Sequence, residues 1–190
     1  MKIDLITNNA EKQSGFIYGN TNINDEYYTP TYAISPILRH LKPNSIVWCP
    51  FDTDQSNYVK MLRKNGHMVI STHIFEGFDF FEIAPPKCDY IISNPPFSMK
   101  AKVFNRLFSF DIPFAMLVGV VGIFESKERF TMFKNNTFEI MYFDKRISFF
   151  KDYADQKPSL NPPFSSVYIC SKVLPEKIVF ETLDKTALSF

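Results

Sequence analysis

The sequence predicts an α/β fold, and three observations carry that expectation. Short β-branched or aromatic runs, such as Ser45-Ile46-Val47-Trp48-Cys49 and Asp89-Tyr90-Ile91-Ile92-Ser93, have the length and composition of buried strands. Between such runs lie segments with apolar residues at helical spacing, for example Ile34, Ile37, Leu38 and Leu41. The most apolar stretch, Pro113-Phe114-Ala115-Met116-Leu117-Val118-Gly119-Val120-Val121, suits a strand covered on both faces, the usual setting of a parallel sheet.

Composition narrows the class further. With 190 residues, 45% of them hydrophobic and 21 of them Phe, the chain can bury a core without staples, and disorder is excluded. The formal net charge of +1 excludes a strongly basic nucleic-acid clamp as the global design but leaves room for local patches. Cys49, Cys88 and Cys170 form no C-x-x-C pair and have no nearby histidine to complete a zinc site, so no metal is expected and a reduced, cytoplasmic protein is. No apolar run approaches membrane-spanning length, and the first residues lack a signal-peptide core. Residues 1–24 are polar and without periodicity, and are expected to form a flexible arm; residues 25–190 then make one domain.

Taken in order, Tyr28-Thr29-Pro30 leads into the first helix, with Pro36 expected near its start. The strand ending at Cys49-Pro50 is followed by the loop Phe51-Asp52-Thr53-Asp54-Gln55-Ser56-Asn57. A helix comes next, with Tyr58, Met61 and Leu62 inward and Asn65-Gly66 as its stop, and Asp54 is a candidate cap for it. A second strand covers residues 67–74 and ends near His73, before Phe75-Glu76-Gly77-Phe78-Asp79-Phe80-Phe81, whose Phe78 and Phe81 read as core aromatics. Beyond the strand at 89–93, a helix over 99–108 turns Val103, Phe104, Leu107 and Phe108 inward and holds Lys100, Lys102 and Arg106 elsewhere, where they could meet phosphates. A charged helix at 125–135 and strands at 138–143, 147–150 and 166–170 complete the body, and Ile178-Val179-Phe180 adds an edge strand.

The chemistry concentrates at Asn94-Pro95-Pro96-Phe97, at the end of the 89–93 strand. In an open α/β sheet the ligand crevice lies beyond the carboxyl ends of the strands, so these residues project into it. Two prolines hold a rigid turn, which leaves the Asn94 amide oxygen and the Pro95 carbonyl free to accept both hydrogens of an exocyclic amine. Phe97 offers a flat face for the ring carrying that amine. A second copy, Asn161-Pro162-Pro163-Phe164, follows a polar, proline-containing segment rather than an apolar strand, and reads as a structural turn.

A strand ending in Asn-Pro-Pro-Phe resembles the catalytic motif of the AdoMet-dependent amino-methyltransferases, above all the DNA N6-adenine methyltransferases. Tyr-Thr-Pro, Pro50-Phe51 and Gly-x-Asp-Phe-Phe precede it in the order of that family's gamma group, over roughly residues 25 to 172. The resemblance implies a Rossmann-like methyltransferase fold, a mostly parallel central sheet with helices on both faces and an antiparallel C-terminal strand. Most sequence-specific members carry a separate target-recognition region after the catalytic motif; this chain has little room for one, and no separate target-recognition domain is expected. The resemblance also implies S-adenosyl-L-methionine as cofactor, with Tyr28, Thr29 and Pro30 at its methionine end, Pro50, Phe51, Asp52 and Ser56 in the first loop, His73 near its ribose, and Asp79 and Phe80 at its adenine. Asn94, Pro95, Pro96 and Phe97 become the catalytic tetrad, and Lys100, Lys102 and Asn161 substrate contacts. The expected partner is DNA presenting a flipped adenine; RNA adenine, a protein glutamine, and a homodimer or specificity partner stay open.

Two departures from the pattern matter. The first loop lacks the family's glycines, so its backbone cannot approach a ligand as closely, and His73 stands where an acid is usual. A non-catalytic relative, which uses the methyltransferase fold to bind nucleic acid or protein, is the competing expectation.

Overall fold

The computed structural model describes residues 27–154, 156–157 and 164–186; the expected arm at 1–24 and Asn161 lie outside them. Among the described residues there are four helices and seven strands. They are α1 (Thr31–Leu38), β1 (Ile46–Cys49), α2 (Asn57–Lys64), β2 (Met68–Ser71), β3 (Tyr90–Ser93), α3 (Lys100–Phe110), β4 (Phe114–Gly119), α4 (Lys127–Lys134), β5 (Glu139–Phe143), β6 (Ser166–Ser171) and β7 (Ile178–Glu181).

The strands form one sheet in the order β2-β1-β3-β4-β6-β5-β7. β1 pairs in parallel with both β2 and β3, and β3 pairs in parallel with β4. The reversed strand is β6, antiparallel to β4 from Phe114↔Ser171 to Gly119↔Ser166 and antiparallel to β5 on its other side. This is the expected Rossmann-like, mostly parallel architecture with one refinement: the reversed strand is the penultimate one, and the last, β7, runs parallel to β5 along the edge.

Strand alternation divides the interior into two cores. Val47 and Cys49, Tyr90 and Ile92, Ala115 and Leu117 face α1 and α2, meeting Ile34, Ile37, Tyr58 and Leu62. Trp48, Ile91, Phe114 and Met116 face the opposite way, onto Val103, Phe104 and Leu107 of α3 and Phe133 of α4. Both faces of β4 are therefore buried, as its continuous apolar run demands. The first core holds a polar pair, the Tyr58 and Tyr168 hydroxyls 2.8 Å apart, and Tyr168 also donates to the Ala33 carbonyl at 3.2 Å.

Several local expectations are corrected. Pro36 sits inside α1, in its second turn, because Pro30 rather than a later residue caps the helix. α2 is capped by Ser56, whose hydroxyl accepts the Tyr58 N–H at 3.2 Å; Asp54 instead pairs with Arg63 at 2.9 Å and accepts from Ser71 at 3.0 Å. Residues 147–150 make an isolated bridge, Tyr28↔Phe150, instead of a full strand. Phe78 is exposed, since the short 3₁₀ turn Ile74–Glu76 and the left-handed Gly77 carry it outward. No helix among the described residues is long and apolar enough to cross a membrane.

Trp48, the single tryptophan, is fully buried and donates its indole N–H to the Thr72 hydroxyl at 2.9 Å. Thr72→Val leaves that donor unsatisfied in the core, so a loss of about 1–3 kcal/mol is expected. Urea unfolding followed by Trp48 emission measures it directly.

Candidate functional site

The chain lays β2 on one side of β1 and then crosses to lay β3 on the other, so the sheet changes direction between β1 and β3. At such a switch point the carboxyl ends of two parallel strands open a crevice. The loop after β1 brings Asp52 to it, and the end of β3 brings Ser93 and Asn94.

Asp52 is 7% exposed and its carboxylate accepts hydrogen bonds from the Ser56 and Ser93 hydroxyls. Burial pushes its pKa up to about 6, against the lowering effect of the two hydroxyls. The carboxylate thus joins the cap of α2 to the residue immediately before Asn94. Ser56, expected at the cofactor, serves both as that cap and as an Asp52 donor.

Tyr28-Thr29-Pro30 arrives beside this junction. Tyr28 and Phe150 exchange two backbone hydrogen bonds at 3.0 and 3.2 Å, and the Tyr28 ring stacks on Tyr153 at 4.2 Å between centroids. Asn57, the first residue of α2, donates its amide to the Thr29 carbonyl at 3.0 Å and to the Gln156 side chain at 3.3 Å. The Asn57 Oδ1 is buried without a hydrogen-bond partner among the described residues. Pro30 caps α1, its carbonyl accepting the Ala33 N–H at 3.0 Å.

On the other flank, Pro50 is buried and Phe51 packs on Phe80 with centroids 4.8 Å apart. Phe80 is itself 3% exposed and wedged against Trp48, so its ring is part of the second core. Asp79 accepts the Phe81 N–H at 2.8 Å and lines a cleft of about 500 Å³ with Phe81, Met99, Lys102 and Arg106. Arg106 stacks over Phe110 at 4.9 Å and donates to the Ile83 carbonyl at 2.8 Å. His73 uses Nδ1 to accept the Phe75 N–H at 3.2 Å, capping the 3₁₀ turn, and its ring lies 4.6 Å from Phe75.

Of the tetrad, Phe97 lines a separate aromatic pocket. Asn94 donates from Nδ2 to the Tyr27 carbonyl at 2.7 Å, while its Oδ1 is buried with no partner among the described residues. The turn after it takes the Pro96 carbonyl, which accepts the Met99 N–H at 3.1 Å, and leaves the Pro95 carbonyl outside that bond. Phe97 meets Tyr27 in a near-parallel stack at 5.5 Å and Phe164 edge-on at 5.7 Å. Lys100 donates to the Val121 carbonyl at 2.7 Å, with its ammonium 5.8 Å from the Phe97 centroid. Tyr27, Phe97, Lys100, Gly119, Val121 and Phe164 line a cleft of about 250 Å³, and Asn94, Pro95 and Pro96 are not among its lining residues. A Cβ on Gly119 would stand 2.6 Å from the Phe164 ring, so glycine is what lets that ring reach Phe97.

Four participants escape the sequence reading: Tyr27, Asn57, Ser93 and Phe164. Phe164 belongs to the second Asn-Pro-Pro-Phe, read as a structural turn, and its ring walls the pocket of the first. The repetition itself was the available signal.

No protein-family model matches the sequence, and no curated protein matches it. Among solved structures the chain is similar to a modification subunit of a putative type I restriction enzyme from Vibrio vulnificus YJ016, at 13% identity and a TM-score of 0.46. The similarity covers 86% of this chain and 47% of that one, so the chain spans about half its length.

The raised pKa of Asp52 has a measurable sign. Its folded value of about 6 exceeds the ~3.9 of an unfolded aspartate, so the native state holds the extra proton in that window and loses stability as pH rises through it, levelling above. Asp52→Asn cannot ionise. Its stability relative to the native sequence should therefore improve between about pH 4 and pH 7, read from urea midpoints at each pH. A difference that does not change with pH would mean that the carboxyl is ionised throughout.

Proposed function

We propose that the protein is an AdoMet-dependent methyltransferase acting on the exocyclic N6 amine of adenine in DNA. The observation that carries the reading is the Oδ1 of Asn94, buried and without a hydrogen-bond partner among the described residues, in the residue that follows β3. An unpaired acceptor in a buried position costs stability, and an incoming amine hydrogen satisfies it.

The residues around Asp52 fit the amino-acid end of S-adenosyl-L-methionine. The Asp52 carboxylate and the Asn57 Oδ1 are acceptors suited to an ammonium group, and the second has no hydrogen-bond partner among the described residues. Asp79, in the wider cleft, is placed to accept from an adenine amine. When bound, the cofactor supplies an electrophilic methyl group on a sulfonium.

On the target side, Asn94 Oδ1 and the Pro95 carbonyl accept the two amine hydrogens, which holds the nitrogen lone pair out of full conjugation with the ring. Phe97 supports one face of a flipped base and Phe164 its edge, and extruding that base costs a few kcal/mol. Asn94 is neutral and acts as acceptor and positioner; the proton released on transfer leaves to water. Lys100 and Lys102 border the two clefts and suit flanking phosphates.

One observation favours the non-catalytic alternative. The first loop has no glycine, and its Asp52 already holds two hydroxyls.

Calorimetric titration with AdoMet and labelled-methyl transfer to unmethylated DNA separate the two. Asn94→Ala should bind AdoMet normally while transfer falls about 10²–10³-fold, the usual cost of a lost transition-state hydrogen bond. Absence of AdoMet binding to the native sequence removes the enzyme reading; binding with transfer only to RNA or to a glutamine side chain changes the substrate. Gly119→Ala displaces Phe164 and should weaken transfer through the KM for DNA, with AdoMet affinity unchanged.

A further inference from the structure

Tyr27 stands where a stacked target ring would stand. Its ring lies on Phe97 at an interplanar angle of 16° and a centroid distance of 5.5 Å, and it meets Phe149 edge-on at 5.5 Å. Carbon atoms in contact sit about 3.5–4 Å apart, so a ring inserted between two others needs roughly 7 Å between the flanking planes. Tyr27 and Phe97 do not leave that space. The Tyr27 carbonyl meanwhile takes the Asn94 Nδ2 hydrogen at 2.7 Å. One residue thus covers the Phe97 face and fastens the side chain that is to receive the amine.

We propose that Tyr27 is an internal plug of the target pocket, displaced by the planar, amine-bearing ring that the pocket accepts. The proposal rests on the assignment of the Asn94–Phe97 pocket to the target. The plug has a defined pivot. Residue 28 is tied to Phe150 by two backbone hydrogen bonds, and residue 29 to Asn57 by a third, so Tyr27 can swing out without disturbing the Tyr28-Thr29-Pro30 turn beside Asp52. Opening the target side therefore leaves the cofactor side in place. The plug also selects. A ligand must replace an aromatic stack, so a planar ring displaces Tyr27 better than an aliphatic amide such as a glutamine side chain.

An occluded pocket lowers apparent affinity by the fraction of molecules that are open. The test uses the full chain and a fluorescein-labelled single-stranded oligo-deoxyadenylate, in which every base is a candidate ring, with affinity read by anisotropy. Tyr27→Ala should bind about tenfold more tightly than the native sequence, the size of one aromatic stack. Tyr27→Phe, which keeps the ring and the carbonyl, should bind like the native sequence. Adding Phe97→Ala to Tyr27→Ala should abolish the gain. Melts followed by Trp48 emission check that each variant folds.

Equal or weaker binding by Tyr27→Ala, with Phe97→Ala still weakening binding, overturns the plug and makes Tyr27 a wall of a working pocket. Indifference of every variant to Phe97→Ala overturns the pocket assignment, and the plug with it.

Discussion

A buried carboxylate at the junction of two strands governs how this site is put together. Asp52 leaves β1, is shut off from water, and must find donors within the protein. It finds them in Ser56, at the mouth of α2, and in Ser93, the last residue of β3. The parallel pairing of β1 and β3 makes this reach short, because it brings their carboxyl ends to the same edge of the sheet. The residue after Ser93 is Asn94. A displacement in the first loop is therefore felt one peptide away from the proposed amine acceptor.

The two halves of the site are built from different materials. Around Asp52 they are hydroxyls, amides and a carboxylate, with the buried Asn57 Oδ1 lacking a partner among the described residues. Around Phe97 they are aromatic rings from three distant parts of the chain, at 27, 149 and 164. In the proposed function the acceptors of the polar half meet an ammonium group, and the aromatic half meets a flat ring. Asn94 links the two, since its backbone continues from Ser93 and its amide donates to the carbonyl of Tyr27, whose ring stacks on Phe97.

What could be read from the chain alone was what depends on near neighbours in sequence. The strand and turn at 90–97 follow from β-branched residues meeting two prolines, and the central burial of β4 follows from its unbroken apolar run. The sheet was legible for the same reason. Choices between chemically similar neighbours were not. Asp54 and Ser56 are both good caps, and the buried demand of Asp52 for a donor favours Ser56. Phe78 and Phe80 look alike in sequence, but only Phe80 finds Trp48 and Phe51. The meeting of Tyr27 or Phe164 with Phe97 depends on long-range packing, which no local pattern encodes.

The reversed strand β6 constrains the order in which the molecule can assemble. Among the described strands, β5 is joined to the rest of the sheet through β6, and β7 through β5. β5 and β6 thus cannot be seated until the chain has been made as far as Ser171, although β5 is complete at Phe143, and β7 waits until Glu181. Until then the inner edge of β4, its most apolar strand, has no partner. Non-local pairing of this kind slows folding and prolongs the exposure of a sticky edge. During synthesis, that edge of β4 stays open from Gly119 until β6 has been made.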